Sequence, residues 1–139
     1  MKRKDKILML TWEYPPNLIG GLARHVHGLS VALAKRGMEI HLITASVEGA
    51  PREEKNGNLT IYRVNPLNEH EQNFLLWIGG LNLAMVEKGR ELADEHSFSL
   101  IHAHDWLVSG AAIALKEKLK CPLVSTIHAT EYGRNCGIF

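Results

Sequence analysis

Ile7-Leu8-Met9-Leu10-Thr11-Trp12-Glu13-Tyr14-Pro15-Pro16-Asn17-Leu18-Ile19-Gly20-Gly21-Leu22 is the stretch from which the fold follows. Its first four residues are apolar on both alternating faces, as in a strand covered by helices on each side. A proline-bearing loop and a glycine pair then lead into an amphipathic helix beginning near Leu22, with Leu22, Val26, Leu29 and Leu33 on one stripe and Gly37 at its C-terminal cap. A strand, a glycine pair and a helix N-terminus together suit an anion. Glycine lets main chain approach a ligand, and the first helical N–H groups carry partial positive charge. The same pair also reads as a plain turn needing positive φ, and the sequence leaves both readings open.

The pattern recurs downstream. Residues 39–44 read as a second strand, followed by a polar loop over 46–58 with an Asn56-Gly57 turn signal, and Leu59–Val64 as a third strand. A helical pattern covers 74–96, interrupted by Gly79-Gly80 and Gly89. Leu100–His104 is the fourth strand, 107–119 an alanine-rich helix and 123–127 the fifth strand. Apolar strands alternating with helices predict an α/β fold, a Rossmann-like doubly wound parallel sheet with helices on both faces.

Composition narrows the function. The chain has 139 residues, 45% of them hydrophobic, and a formal charge of +1, which is one domain's worth of core and no electrostatic case for nucleic acid or an anionic membrane. The basic start Lys2-Arg3-Lys4 leads into an apolar run too short for a signal peptide, so cytoplasmic location is the default expectation. Phe74 to Met85 is too short and interrupted for a membrane span; Phe74, Leu75, Leu76 and Trp77 read as a buried helix start or as a face toward lipid or acceptor. Cys121 and Cys136 lack metal or redox spacing and are expected to be reduced. The glycine after Gly21 is Gly28, so there is no G-x-G-x-x-G, and no Walker sequence occurs. Nicotinamide dehydrogenases and P-loop NTPases are thereby disfavoured.

In doubly wound sheets the ligand lies beyond the carboxyl ends of the strands. Those ends carry Thr11-Trp12-Glu13-Tyr14 and Gly20-Gly21, then His102-Ala103-His104-Asp105-Trp106, then Thr126-Ile127-His128-Ala129-Thr130-Glu131-Tyr132-Gly133-Arg134. Hydroxyls, imidazoles and carboxylates bond sugar hydroxyls, and aromatic rings cover sugar faces. Glu13, Tyr14, His104, Trp106, Glu131, Tyr132 and Arg134 are therefore candidate sugar or acceptor contacts. Plainer roles stand beside these: Asp105 as a helix cap, Trp106 as core, Glu13 as a solvated loop residue. His102 and His104 share a face by alternation, but local spacing places no third ligand, so no metal site is expected.

Glu13-Tyr14-Pro15-Pro16, Gly20-Gly21-Leu22-Ala23, Ala32-Leu33-Ala34-Lys35-Arg36-Gly37, His102-Ala103-His104-Asp105-Trp106 and Thr126-Ile127-His128, in this order, resemble the N-terminal domain of family 4 glycosyltransferases. Within them the chain is similar to the glycogen and starch synthase branch. The resemblance implies half of a GT-B architecture, in which this domain shapes the acceptor side and a C-terminal domain binds most of a nucleotide-sugar. It implies transfer with retention of configuration, from a UDP- or ADP-sugar to a saccharide or lipid-linked acceptor, with no cofactor beyond the donor and no essential metal. Gly20 and Gly21 would approach the donor diphosphate, Asp105 would lie near the transferred sugar, and His128 would bond that sugar near the reacting carbon. Main-chain N–H groups at Gly21 and Leu22 suit the leaving diphosphate. The branch's glycogen synthases carry a lysine just before the glycine pair, where this chain has Leu18-Ile19.

By that pattern residues 1–139 are expected to be an incomplete N-terminal domain, inactive without its C-terminal partner and able to self-associate through an exposed sheet flank. The rival expectation is a non-catalytic Rossmann-like module that binds a nucleotide or carbohydrate without turnover.

Overall fold

The computed structural model describes residues 4–129. In chain order the elements are β1 (Lys6–Leu10), α1 (Gly21–Lys35), β2 (Glu39–Ala45), β3 (Glu53–Asn56), β4 (Leu59–Val64), α2 (Phe74–Ala93), β5 (Leu100–His104), a single 3-10 turn (Trp106–Val108), α3 (Ser109–Leu119) and β6 (Leu123–Thr126). They build one six-stranded sheet in the order β3-β4-β2-β1-β5-β6. The pairings β1–β2, β1–β5, β2–β4 and β5–β6 are parallel, and β3–β4 is antiparallel.

Alternation along β1 assigns its two faces. Ile7 and Met9 pack with Leu22, Val26, Ile40, Leu42, Leu59 and Ile61 on the α1 face. Leu8 and Leu10 pack with Leu81, Met85, Ile101, Leu107 and Leu115 on the α2–α3 face. Each such side chain removed from water contributes about 1.5–3 kcal/mol, so both faces of the sheet are covered for a reason. The doubly wound α/β fold is thus present. The chain leaves β1 toward β2 on one side and reaches β5 on the other, which puts the switch point beside β1, at the edge where α1 begins.

Two expectations are corrected. Residues 46–58 are not all loop: β3 pairs with β4 from Glu53↔Tyr62 to Asn56↔Leu59. Its sequence Glu-Glu-Lys-Asn is polar because it is an edge strand with little to bury, so no apolar period announces it. Arg63 holds it instead, donating to Glu54 Oε1 and to the Pro51 carbonyl, each at 3.0 Å. The hairpin turn falls on Gly57, whose φ of 61° explains the glycine. Second, α2 ends at Ala93 rather than His96, and its glycines are places of close approach rather than weak points. A Cβ on Gly80 would lie 1.6 Å from Asn68 Oδ1, and one on Gly89 would lie 2.7 Å from the Leu115 methyls. Asn73 caps α2 by accepting from Leu76 N–H at 3.2 Å.

No helix among the described residues is long and apolar enough to cross a membrane. Cys121 is a buried free thiol, and Cys136 lies outside the described residues.

Candidate functional site

All parallel strands point their carboxyl ends to one edge, and α1 starts there. Gly20 is its N-cap with φ −151°, and Gly21 is its first residue. Neither glycine has positive φ, which overturns the plain-turn reading of the pair. A Cβ on either would meet nothing within 4 Å. Packing among the described residues therefore does not require glycine at these positions. A hollow of about 240 Å³ opens on them, lined by Leu18, Ile19, Gly20, Gly21 and Arg24. Leu22 is buried against the sheet, leaving its main chain as the part available to a ligand.

Glu13 is only 2% exposed. Its Oε2 accepts from the Ile19 N–H at 3.1 Å and its Oε1 from the Ala23 N–H at 3.2 Å. The solvated-loop reading of Glu13 is thus corrected. The carboxylate spans the loop and bonds the third N–H of α1, favourably placed on the helix dipole. Tyr14 is buried too, its hydroxyl 3.0 Å from Ser30 Oγ, and burial pushes its phenol pKa up. Both side chains point into the protein.

Around the carboxyl ends of β5 and β6 the imidazoles of His25, His102, His104 and His128 gather. Ring centroids are 4.9 Å apart for His25–His128, 5.9 Å for His25–His104, 5.7 Å for His104–His128 and 4.2 Å for His102–His104. His104 Nδ1 lies 3.4 Å from His128 Nε2, and His102 Nε2 lies 2.8 Å from Thr126 Oγ1. Burial, followed by the neighbouring imidazoles, pulls His104 down to about 3. Burial followed by His25 likewise lowers His102 and His128, the latter against the pull of Asp105. These three rings are neutral near pH 7, each with one N–H donor and one acceptor.

Asp105 follows directly. Its main chain sits at φ 69° and ψ 173°, a region that essentially only glycine occupies. It is held there by its N–H donating to the Thr126 carbonyl at 2.8 Å and by its carboxylate accepting from Trp106 N–H at 3.1 Å. The capping role is present, and with it a strained backbone of the kind that clusters at functional sites. Trp106 packs against the core, and its indole nitrogen is buried without a hydrogen-bond partner among the described residues. Glu131, Tyr132 and Arg134 lie outside the described residues.

Residues 19–137 match the model of Glycosyltransferase Family 4. The chain belongs to that family. It is 39% identical over 146 residues to a glycogen synthase of Mycobacterium tuberculosis, covering 95% of this chain and 35% of the relative. It is 37% identical over 134 residues to an uncharacterized glycosyltransferase of Methanocaldococcus jannaschii, covering 96% and 33%. The chain thus spans about a third of the length of the curated relatives it matches. Among solved structures, sucrose-phosphate synthase from Thermosynechococcus elongatus superimposes with a TM-score of 0.74 at 17% identity, over 91% of this chain and 33% of that one. The fold of this family 4 chain is the Rossmann-like N-terminal half of the GT-B architecture.

Two residues beside the candidate site escaped the sequence. His25 reads as the edge of a helix stripe, and only the position of α1 over the switch point carries it to His128. Arg24 reads as an outward-facing cation, yet it lines the hollow at the glycine pair. An exposed polar pair one turn inside a helix that starts at a strand end is the signal that would have found both.

Proposed function

We propose that this chain is the N-terminal, acceptor-side part of a retaining glycosyltransferase that moves a glycosyl group from a nucleotide-sugar, UDP- or ADP-linked, to a saccharide or lipid-linked acceptor. The observation that carries the reading is the glycine pair: nothing among the described residues occupies the space beside Gly20 and Gly21, and neither has positive φ. Their small size serves something that comes from outside. Glu13 takes the Ala23 N–H, which leaves those of Gly21 and Leu22 without helical acceptors at the positive end of the dipole, and Arg24 beside the same hollow adds a full charge. A diphosphate leaving group gains charge as its bond to the sugar breaks, and donors fixed in advance stabilise that charge.

Asp105 and His128 stand at the ends of adjacent strands, joined through Thr126. A neutral His128 orients a sugar hydroxyl, and the Asp105 carboxylate favours positive charge developing on the sugar ring. The likeness to glycogen synthase supports a saccharide acceptor, and Leu18-Ile19 before the glycine pair keeps the acceptor wider than polyglucan.

The test is steady-state kinetics of His128→Ala in the full-length protein with a panel of nucleotide-sugars. Loss of turnover of about 100-fold or more with donor binding retained is expected. An unchanged turnover number removes His128 from the mechanism, and donor binding without any turnover in the wild type identifies a binding module instead.

A further inference from the structure

We propose that His25, His104 and His128 form a binding site for one borderline divalent transition-metal ion of the zinc class. One imidazole nitrogen from each ring can be chosen so that all lie within 4.8 Å of one another. The rings come from α1, from the end of β5 and from just beyond β6, so sequence spacing cannot show the set. The pair His102 and His104, which alternation does show, is not the site: His102 Nε2 is engaged by Thr126 Oγ1. The third nitrogen arrives from α1 instead.

The distances suit zinc. Two nitrogens bound tetrahedrally at about 2.0–2.1 Å stand about 3.3 Å apart. His104 Nδ1 and His128 Nε2 are already 3.4 Å apart. His104 is fully buried, so packing holds its ring in place, and its Nδ1 is the nitrogen that faces His128. His25 and His128 are exposed, and small rotations of their side chains complete the set and leave a fourth position open to water. A set of three nitrogens selects zinc, cobalt or nickel over magnesium or calcium, which take oxygen.

A second group, Glu39, His41 and His96, has comparable spacing and does not carry the same inference. Lys6 Nζ lies 3.1 Å from His96 Nδ1 and 3.8 Å from Glu39 Oε1, placing an ammonium where the metal would sit. His41 is already bonded on both sides, to Glu39 at 2.7 Å and to the Tyr62 hydroxyl at 2.9 Å.

A metal at His128 excludes a sugar hydroxyl from the same nitrogen, so zinc acts as a reversible inhibitor. That consequence rests on the transferase reading; binding measured without sugar does not. The experiment is calorimetric titration of the chelator-treated full-length protein with Zn²⁺, beside visible absorption with Co²⁺. Expected are one ion bound per chain, an intense tetrahedral cobalt band, and a loss in affinity of about tenfold or more in His25→Ala. His96→Ala is expected to bind as the wild type does. Absence of saturable binding, a Zn²⁺ affinity unchanged in His25→Ala, or loss of the bound ion in His96→Ala overturns the proposal.

Discussion

Glu13 Oε1 accepts the N–H of Ala23 at 3.2 Å, tying the end of β1 to the third residue of α1. Its other oxygen takes Ile19, so one buried carboxylate sets the shape of the loop that carries the glycine pair. Glutamine in its place keeps the size but offers one acceptor oxygen, leaving an N–H facing an NH₂ group. Glu13→Gln is expected to cost about 1–3 kcal/mol, read from the denaturation midpoint, and to raise the donor KM more than it lowers kcat. An unchanged midpoint rejects the tie.

Gly21→Ala separates ligand from scaffold. The chain has room for the methyl group, and φ there is not positive, so stability is expected to hold within about 0.5 kcal/mol or to rise. The donor KM is expected to rise about tenfold or more, because the methyl group stands where the diphosphate approaches. A fall in stability with normal KM shows that the glycine serves the fold.

Asp105 predicts a trade between stability and rate. Glycine relaxes the φ 69°, ψ 173° conformation, a relief of about 1–3 kcal/mol set against the carboxylate's lost interactions, of which the bond to Trp106 N–H is worth about 1 kcal/mol. Asp105→Gly is expected to melt at an equal or higher temperature and to turn over much more slowly. A markedly lower Tm rejects the strain.

Acid is expected to weaken the fold in two stages. His41, His102 and His104 titrate below the ordinary 6.5 in the folded chain because burial disfavours their cations, with neighbouring imidazoles adding to this at His102 and His104 and the Glu39 hydrogen bond opposing it at His41. The unfolded chain therefore takes up protons first. Stability is full above about pH 6.5 and falls as pH drops, by up to about 1.4 kcal/mol per pH unit for each such histidine, continuing for His104 down to about 3. Below 4.5 a second loss joins it. Burial raises the Glu39 pKa, but His41 and Lys6 outweigh it, and Arg63 lowers Glu54. Denaturation midpoints between about pH 7 and 5 measure the first stage, and His104→Asn is expected to flatten the slope. An equal slope in that variant assigns the loss elsewhere.

What the chain reveals unaided follows from what burial selects. The β1, β2, β4 and β5 strands are apolar because helices cover them, and that pattern survives in one dimension. The β3 strand is legible only through the Asn56-Gly57 turn, since an edge strand of Glu, Lys and Asn has no apolar signature. The site divides in the same way. Gly20, Gly21, Asp105 and His128 announce themselves by following strands, whereas His25 depends on how α1 lies across the sheet, a relation among distant segments. Glu13 looked like solvent-facing charge because its partners are main-chain N–H groups, which no residue type records.

Thr126 receives the Asp105 N–H on its carbonyl and lies within bonding reach of His102 on its hydroxyl, and it ends a four-residue strand that is outermost among the described strands on its side. Rim strands open more readily than central ones. Within these residues, opening of β6 frees Asp105 and His102 together. Amide exchange at Asp105 is the clock for that event, running faster than exchange at Met9 in the sheet's interior.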